Sequence, residues 1–280
     1  MPKSTLLMAP PGAGKTKMVI ETAVNRPVHV IDTDRKLVEM HWAQPYIEKG
    51  DVTFWELSET FVEEDIMTRL KKLAKNENPT AEPQGWPKFA KMANDLGKQE
   101  VSRKAGTWFI DSGTMLETHL MRSVLYYDQK AKGVMSPREW QYYLMMWTET
   151  IQSLIDEAHK YDKDLIISIH EREKDKPRPG TVIMHSKGAD GQRNREYIGI
   201  LDLKMIPSIG GQFAENIARF FTEFYALKVV IDSKGVPQWR CRVRPDGQRD
   251  LRTSFPVKQD EFPPDFRLIW NPPHSYDWSK

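Results

Sequence analysis

Between Ala9 and Thr16 the chain reads Ala-Pro-Pro-Gly-Ala-Gly-Lys-Thr. Each residue type there suits the chemistry of a bound phosphate. Gly12 and Gly14 reach backbone angles closed to other residues, which turns successive N–H groups inward on an anion. Lys15 brings a positive charge for β- and γ-phosphates, and Thr16 brings a hydroxyl for Mg2+. The pattern of a phosphate-binding loop is met at every fixed position but the first, where Ala9 replaces glycine. Pro11, Gly12, Ala13, Gly14, Lys15, Thr16 and Lys17 are the expected contacts to ATP.

Such a loop needs a carboxylate beside it to hold Mg2+ through water. Trp108-Phe109-Ile110-Asp111-Ser112 is an apolar strand closed by an acid. Asp111 is therefore expected to share the metal with Thr16. No acid follows it directly, since Ser112 is next. A neighbouring strand, His29-Val30-Ile31-Asp32-Thr33-Asp34, offers two acids, and capping the next helix is the competing use for both. His170 closes a further apolar strand. It is either a sensor of the terminal phosphate or a hydrogen-bonded strand end, with Glu171 as its neighbour.

The elements that position these groups follow from periodicity. Ser4 to Met8, Val28 to Ile31, Thr107 to Ile110 and Leu165 to Ile169 are short apolar runs without alternation, the mark of parallel strands covered on both faces. Val52 to Leu57 is a further strand candidate. Helices are expected over Lys15 to Val24, Glu63 to Lys75 and Glu139 to Tyr161, the last with Trp140, Leu144, Trp147, Ile151, Leu154 and Ile155 at core spacing. The expected fold is α/β, a mostly parallel sheet flanked by helices. Residues 1–172 form its core, with a surface insert at 76–105 carrying a short helix near Phe89 to Leu96. Residues 173–280 form a smaller β-rich portion, with strands at Ile198 to Ile206, Phe220 to Ile231 and Gln238 to Val243. The Pro- and Trp-rich tail from Phe262 is expected to be irregular.

Composition bounds the rest. The chain has 280 residues, 39% apolar and 29% charged, with a net charge of +2. That is a globular balance with no global field for nucleic acid, so any such contact needs local clustering. Cys241 is the single cysteine, which excludes an internal disulfide framework and fits a reducing cytoplasm. Apolar runs such as Leu165 to Ile169 are too short to span a bilayer, so no membrane partner is expected. The N-terminus enters a strand at once, leaving no room for a signal peptide.

In order and content these pieces resemble phage-encoded RecA-like P-loop ATPases, including the single-strand annealing type. Ala9 to Thr16, Val30 to Asp34, Trp108 to Ser112, Trp140 to Ile151 and Ile166 to Glu171 carry the likeness. Pro207 to Gly211, followed by the apolar run from Phe220 to Leu227, adds to it. The resemblance implies an ATPase that binds single-stranded DNA and anneals or pairs strands in recombination or replication. In that family a glutamate two residues past the second-strand acid polarises the attacking water, and Asp34 takes its place here. The catalytic set is then Lys15, Asp34, Asp111 and His170. The insert at 76–105 and the Pro-rich tail depart from the family.

Between Lys174 and Arg195 lies a basic, glycine-broken run, expected as a mobile loop or hairpin. Lys187, Arg193 and Arg195 are its candidate DNA contacts, against a plain solvated loop, since acids lie among the bases. Arg240, Arg242 and Arg244 alternate along one strand. They suit a phosphate-tracking stripe, a finger reaching a neighbouring subunit's ATP, or a charged edge. A homo-oligomer is the expected assembly. A small-molecule kinase with an arginine-rich lid at 172–195, or a nucleotide-switched assembly protein, are the rival functions.

Overall fold

Apolar strands that lack alternation must be covered on both sides, and the sheet is built around them. β1 (Ser4–Ala9) and β2 (Val28–Asp32) are buried at every position. β3 (Val52–Glu56) is only partly covered. β4 (Thr107–Asp111) is buried up to its closing acid. β5 (Asp164–Pro177) is far longer than its apolar half, for reasons given below. The computed structural model describes residues 2–57, 67, 71, 75, 82–127, 135–177, 182–187, 193–198, 201–210 and 213–271.

Six further strands complete the set among the described residues. β6 (Val182–Lys187) and β7 (Arg193–Ile198) pair antiparallel as a two-stranded sheet. β8 (Leu201–Pro207) runs antiparallel to the outer half of β5, from Glu171 to Pro177. β9 (Glu223–Ile231) lies parallel to β1, then β10 (Pro237–Arg242) and β11 (Glu261–Phe262) follow antiparallel. The main sheet runs β11-β10-β9-β1-β5-β4-β2-β3. The fold is therefore α/β, with a mostly parallel mixed sheet. Residue 172 falls inside β5, and β9, from the C-terminal half, stands beside β1 in the same sheet.

Alternate residues of each strand feed two cores. Leu6, Met8, Trp108, Ile110, Leu165 and Ile167 face one layer. Leu7, Val28, Val30, Phe109 and Ile166 face the other. α1 (Lys15–Thr22) packs Met18 and Val19 into the second layer, and the short α2 (Gln44–Glu48) flanks β3. α3 (Gly85–Asp95), α4 (Glu100–Lys104), α5 (Gly113–Tyr127) and α6 (Pro137–Lys160) follow. α3, α5 and α6 cover the first layer through Phe89, Leu116, Leu120, Trp147 and Ile151. No helix among the described residues is long and apolar enough to cross a membrane.

Several expectations change. The insert at 76–105 is not a surface excursion over its described part, because Trp86, Phe89, Leu96 and Ala105 are core residues. α5 has no counterpart in the sequence reading. Its Leu116, Leu120 and Val124 keep helical spacing, but Glu117 and His119 are buried among them and blur the pattern. The strand expected from Phe220 starts at Glu223, after α7 (Phe213–Asn216) and a 3-10 turn over Ile217–Phe220. The tail is not wholly irregular. α8 (Phe266–Trp270) forms in it, capped by the Asp265 side chain, which accepts from Arg267 N at 2.8 Å. Phe266 and Ile269 are fully buried, and Phe266 N donates to Thr22 Oγ1 on α1 at 3.0 Å. The helix expected over Glu63 to Lys75 lies largely outside the described residues.

Candidate functional site

Parallel strands deliver their carboxyl ends to one edge, and there the candidate residues meet. Ala9 registers with His170 across β1 and β5, and Asp32 with Asp111 across β2 and β4. β5 runs between β1 and β4, so its polar end stands between the glycine loop and the acid strand. Gly12 and Gly14 take φ of +74° and +79°, the left-handed region that glycine tolerates. α1 begins directly after Gly14, so its N-terminal N–H groups and positive dipole end face the same space. A cavity of about 400 Å³ opens there, lined by residues 11–17, Asp32, Asp34, Asp111, Ser112 and His170 among others.

Lys15 is buried, with only 6% of its surface exposed. Its ammonium donates to the carbonyls of Ala9 at 3.2 Å and Pro10 at 3.1 Å, and to His170 Nδ1 at 3.2 Å. Burial lowers its pKa to about 8, against the opposing pull of Asp111 and Asp34. Burial and the Lys15 charge together hold His170 below the ordinary histidine value. His170 N donates to Thr114 Oγ1 at 2.9 Å, which fixes the strand end to the start of α5.

Asp111 accepts from Thr16 Oγ1 and Ser168 Oγ, each at 2.5 Å. Burial holds its carboxyl above the usual range, and these two hydroxyls pull the other way. Thr16 and Asp111 are thus adjacent, and both are oxygen ligands of the kind a hard cation takes. The donor set fits Mg2+ that keeps several waters. It does not make an all-protein cage, and among the described residues no group of His, Cys, Asp and Glu does so elsewhere.

The two acids of the second strand part company. Asp32 is 2% exposed and accepts from Leu37 N at 2.8 Å and Asp34 N at 3.2 Å. It is spent on shaping its own loop. Both acids line the cavity, but Asp34 has Lys36 Nζ 3.7 Å away and Ser112 Oγ donating to it at 3.4 Å. Glu171 turns away, because its side chain is 4% exposed and bound to Arg249 at 3.1 and 3.2 Å. Leu37, Met40 and Trp42 give the cavity an apolar part of its lining.

The remaining candidates fall on β6, β7 and the segment around β10. Lys187 registers with Arg193 and His185 with Arg195 in the β6–β7 ladder. The expected arginine stripe is reduced. Arg242 is held by Asp246 and Glu261, and Arg244 lies beyond β10, where it pairs with Asp260 at 3.4 Å and donates to Val257 O at 2.7 Å. Neither is a free cation. Sequence reasoning missed Ser168, Thr33 and Thr114. A hydroxyl in an apolar strand, as in Ile167-Ser168-Ile169, was the available signal. The sequence matches no family model and has no significant similarity to a curated protein.

Proposed function

We propose that this chain is a Mg2+-dependent ATPase with a RecA-like P-loop core, acting on single-stranded DNA in the cytoplasm. One observation carries the reading. The glycine loop, a buried lysine, a Thr16–Asp111 pair and a cavity-facing Asp34 converge at the ends of adjoining strands. Polyphosphate suits this arrangement, because N–H groups and an ammonium face it from one side. Mg2+ held by Thr16 and, through water, by Asp111 would neutralise charge on the phosphates. Lys15 holds the terminal phosphates, and Asp34 orients the water that attacks in line. His170, already bonded to Lys15, registers whether the γ-phosphate is there. The apolar lining from Leu37, Met40 and Trp42 suits a base or ribose.

A kinase lid over residues 172–195 finds less support. Arg172 donates to Ile209 O at 2.8 Å, and Lys174 pairs with Glu215, so neither is turned to the phosphates. The DNA half of the reading rests on the family resemblance and on the basic β6–β7 ladder.

Turnover of ATP with and without single-stranded oligonucleotide tests the whole reading. Lys15→Ala should abolish hydrolysis and weaken ATP binding. Asp34→Asn should keep binding and slow turnover by roughly a hundredfold or more, the usual cost of losing a general base. Asp111→Asn should instead weaken Mg2+-dependent binding. Normal turnover by a folded Lys15→Ala protein would remove the nucleotide site.

A further inference from the structure

We propose that Thr33 is the positioning residue of this site, its hydroxyl joining the strand end that carries Asp34 to the one that carries Asp111. This rests on the ATPase reading above. Thr33 stands between Asp32 and Asp34, and it is 3% exposed. Its Oγ1 donates to Ser112 O at 2.9 Å and accepts from Ser112 N at 2.7 Å. Its own N donates to Asp111 O at 2.7 Å. The regular β2–β4 ladder ends at the pair Asp32 and Asp111. Beyond that pair the Thr33 side chain takes the place of a backbone and continues the pairing by one step.

The consequence falls on the two carboxylates. Asp34 follows Thr33 by one residue, and Asp111 precedes Ser112 by one. Fixing Thr33 to Ser112 therefore fixes the spacing between the water-orienting acid and the metal acid. Asp32 pins the same turn from its other side, through Asp34 N and Leu37 N. Asp111 has short bonds from Thr16 and Ser168, whereas the Asp34 side chain has the longer contacts from Ser112 Oγ at 3.4 Å and Lys36 Nζ at 3.7 Å and otherwise depends on this turn. An aspartate is one methylene shorter than a glutamate and reaches less far to correct a displaced backbone. Positional accuracy must then come from the turn itself. A displacement of about 1 Å costs on the order of a hundredfold in rate.

A hydroxyl that merely satisfies buried backbone groups would matter to stability alone. The test separates the two roles by steady-state ATP turnover of wild type, Thr33→Val, Thr33→Ser, Asp34→Asn and the Thr33→Val/Asp34→Asn double variant, each with a melting curve. Valine keeps the shape and loses both bonds. Thr33→Val should lower kcat by roughly thirtyfold, within the range for misplacement, and leave KM for ATP within about twofold. Thr33→Ser should recover most of that loss. The double variant should be no slower than Asp34→Asn alone, because a residue acting through Asp34 has nothing left to position. Normal kcat in Thr33→Val, or losses that multiply in the double variant, overturns the proposal while the ATPase reading stands. Absence of turnover in the wild type overturns both. Should Thr33→Val fail to fold, Thr33→Cys fills the space with a weakly bonding thiol, and an unchanged kcat there likewise overturns the proposal.

Discussion

Lys15 shows how much of the site is decided by single residues. Its pKa of about 8 in the free protein comes first from burial, with the nearby acids opposing. Phosphate favours the charged form, so the pKa must rise when ATP binds. Below pH 8 the ammonium is already present and binding needs no proton. Above pH 8 binding must take one up, and affinity falls as pH rises, by up to about tenfold per pH unit. Calorimetry in two buffers of different ionisation heat should show little proton uptake at pH 7 and nearly one proton at pH 9. Equal uptake at both would count against a phosphate held by Lys15. The loop, Asp111, Asp34 and His170 could be picked from the sequence because each closes an apolar strand or fills a fixed spacing. Ser168, Thr33 and Thr114 could not, because a hydroxyl's partner is set by which strands become neighbours. Glu171 was adjacent to His170 in sequence, yet strand alternation turns it to the other side, where Arg249 takes it.

At the scale of elements, helix α6 is the longest piece of regular structure among the described residues and has the best-defined start. Ser136 accepts from Glu139 N at 3.5 Å, Glu139 accepts in return from Ser136 N, and Pro137 fills the first turn. Ser136→Ala should cost about 1 kcal/mol, the usual worth of such a cap. For a chain of this size that lowers the melting temperature by about 2 °C. An unchanged melting curve would mean that packing alone holds the end. The Ser-Pro-Arg-Glu run at 136–139 is itself a readable start signal, and it places the boundary ahead of the expected Glu139. The parallel strands were legible from unbroken apolar runs. α8 was not, since Pro263 and Pro264 and the chain's few remaining apolar residues mask a helix of 5 residues whose burial comes from α1 and β9. β8 was legible as part of the strand expected over Ile198 to Ile206, but its partner was not, since it pairs with the polar half of β5, where no hydrophobic pattern marks a strand.

At the scale of the whole molecule, the chain carries both the cavity beside the glycine loop and the basic β6–β7 ladder. If Lys187, Arg193 and Arg195 meet DNA, replacing all three by Ala should weaken oligonucleotide binding. It should also flatten the dependence of log affinity on log salt by about 2, at roughly 0.7 for each phosphate no longer neutralised on a single strand. ATP affinity should not change. Fluorescence anisotropy over a salt series measures both effects, and an unaltered slope would release these residues from the role. Beyond His170 the outer half of β5 runs paired to β8 from Glu171 to Pro177. Ser208 N returns to His170 O at 2.7 Å, so both limbs are tied at the same point. That point is a fulcrum. From it the seven paired residues reach roughly 20 Å, at about 3.3 Å each. A tilt of about 5° at the fulcrum, too slight to break a hydrogen bond there, carries the far end of such a lever through nearly 2 Å, on the order of half the spacing between successive residues of an extended strand. Any small shift at His170 is in this way geared up before it reaches the distant end.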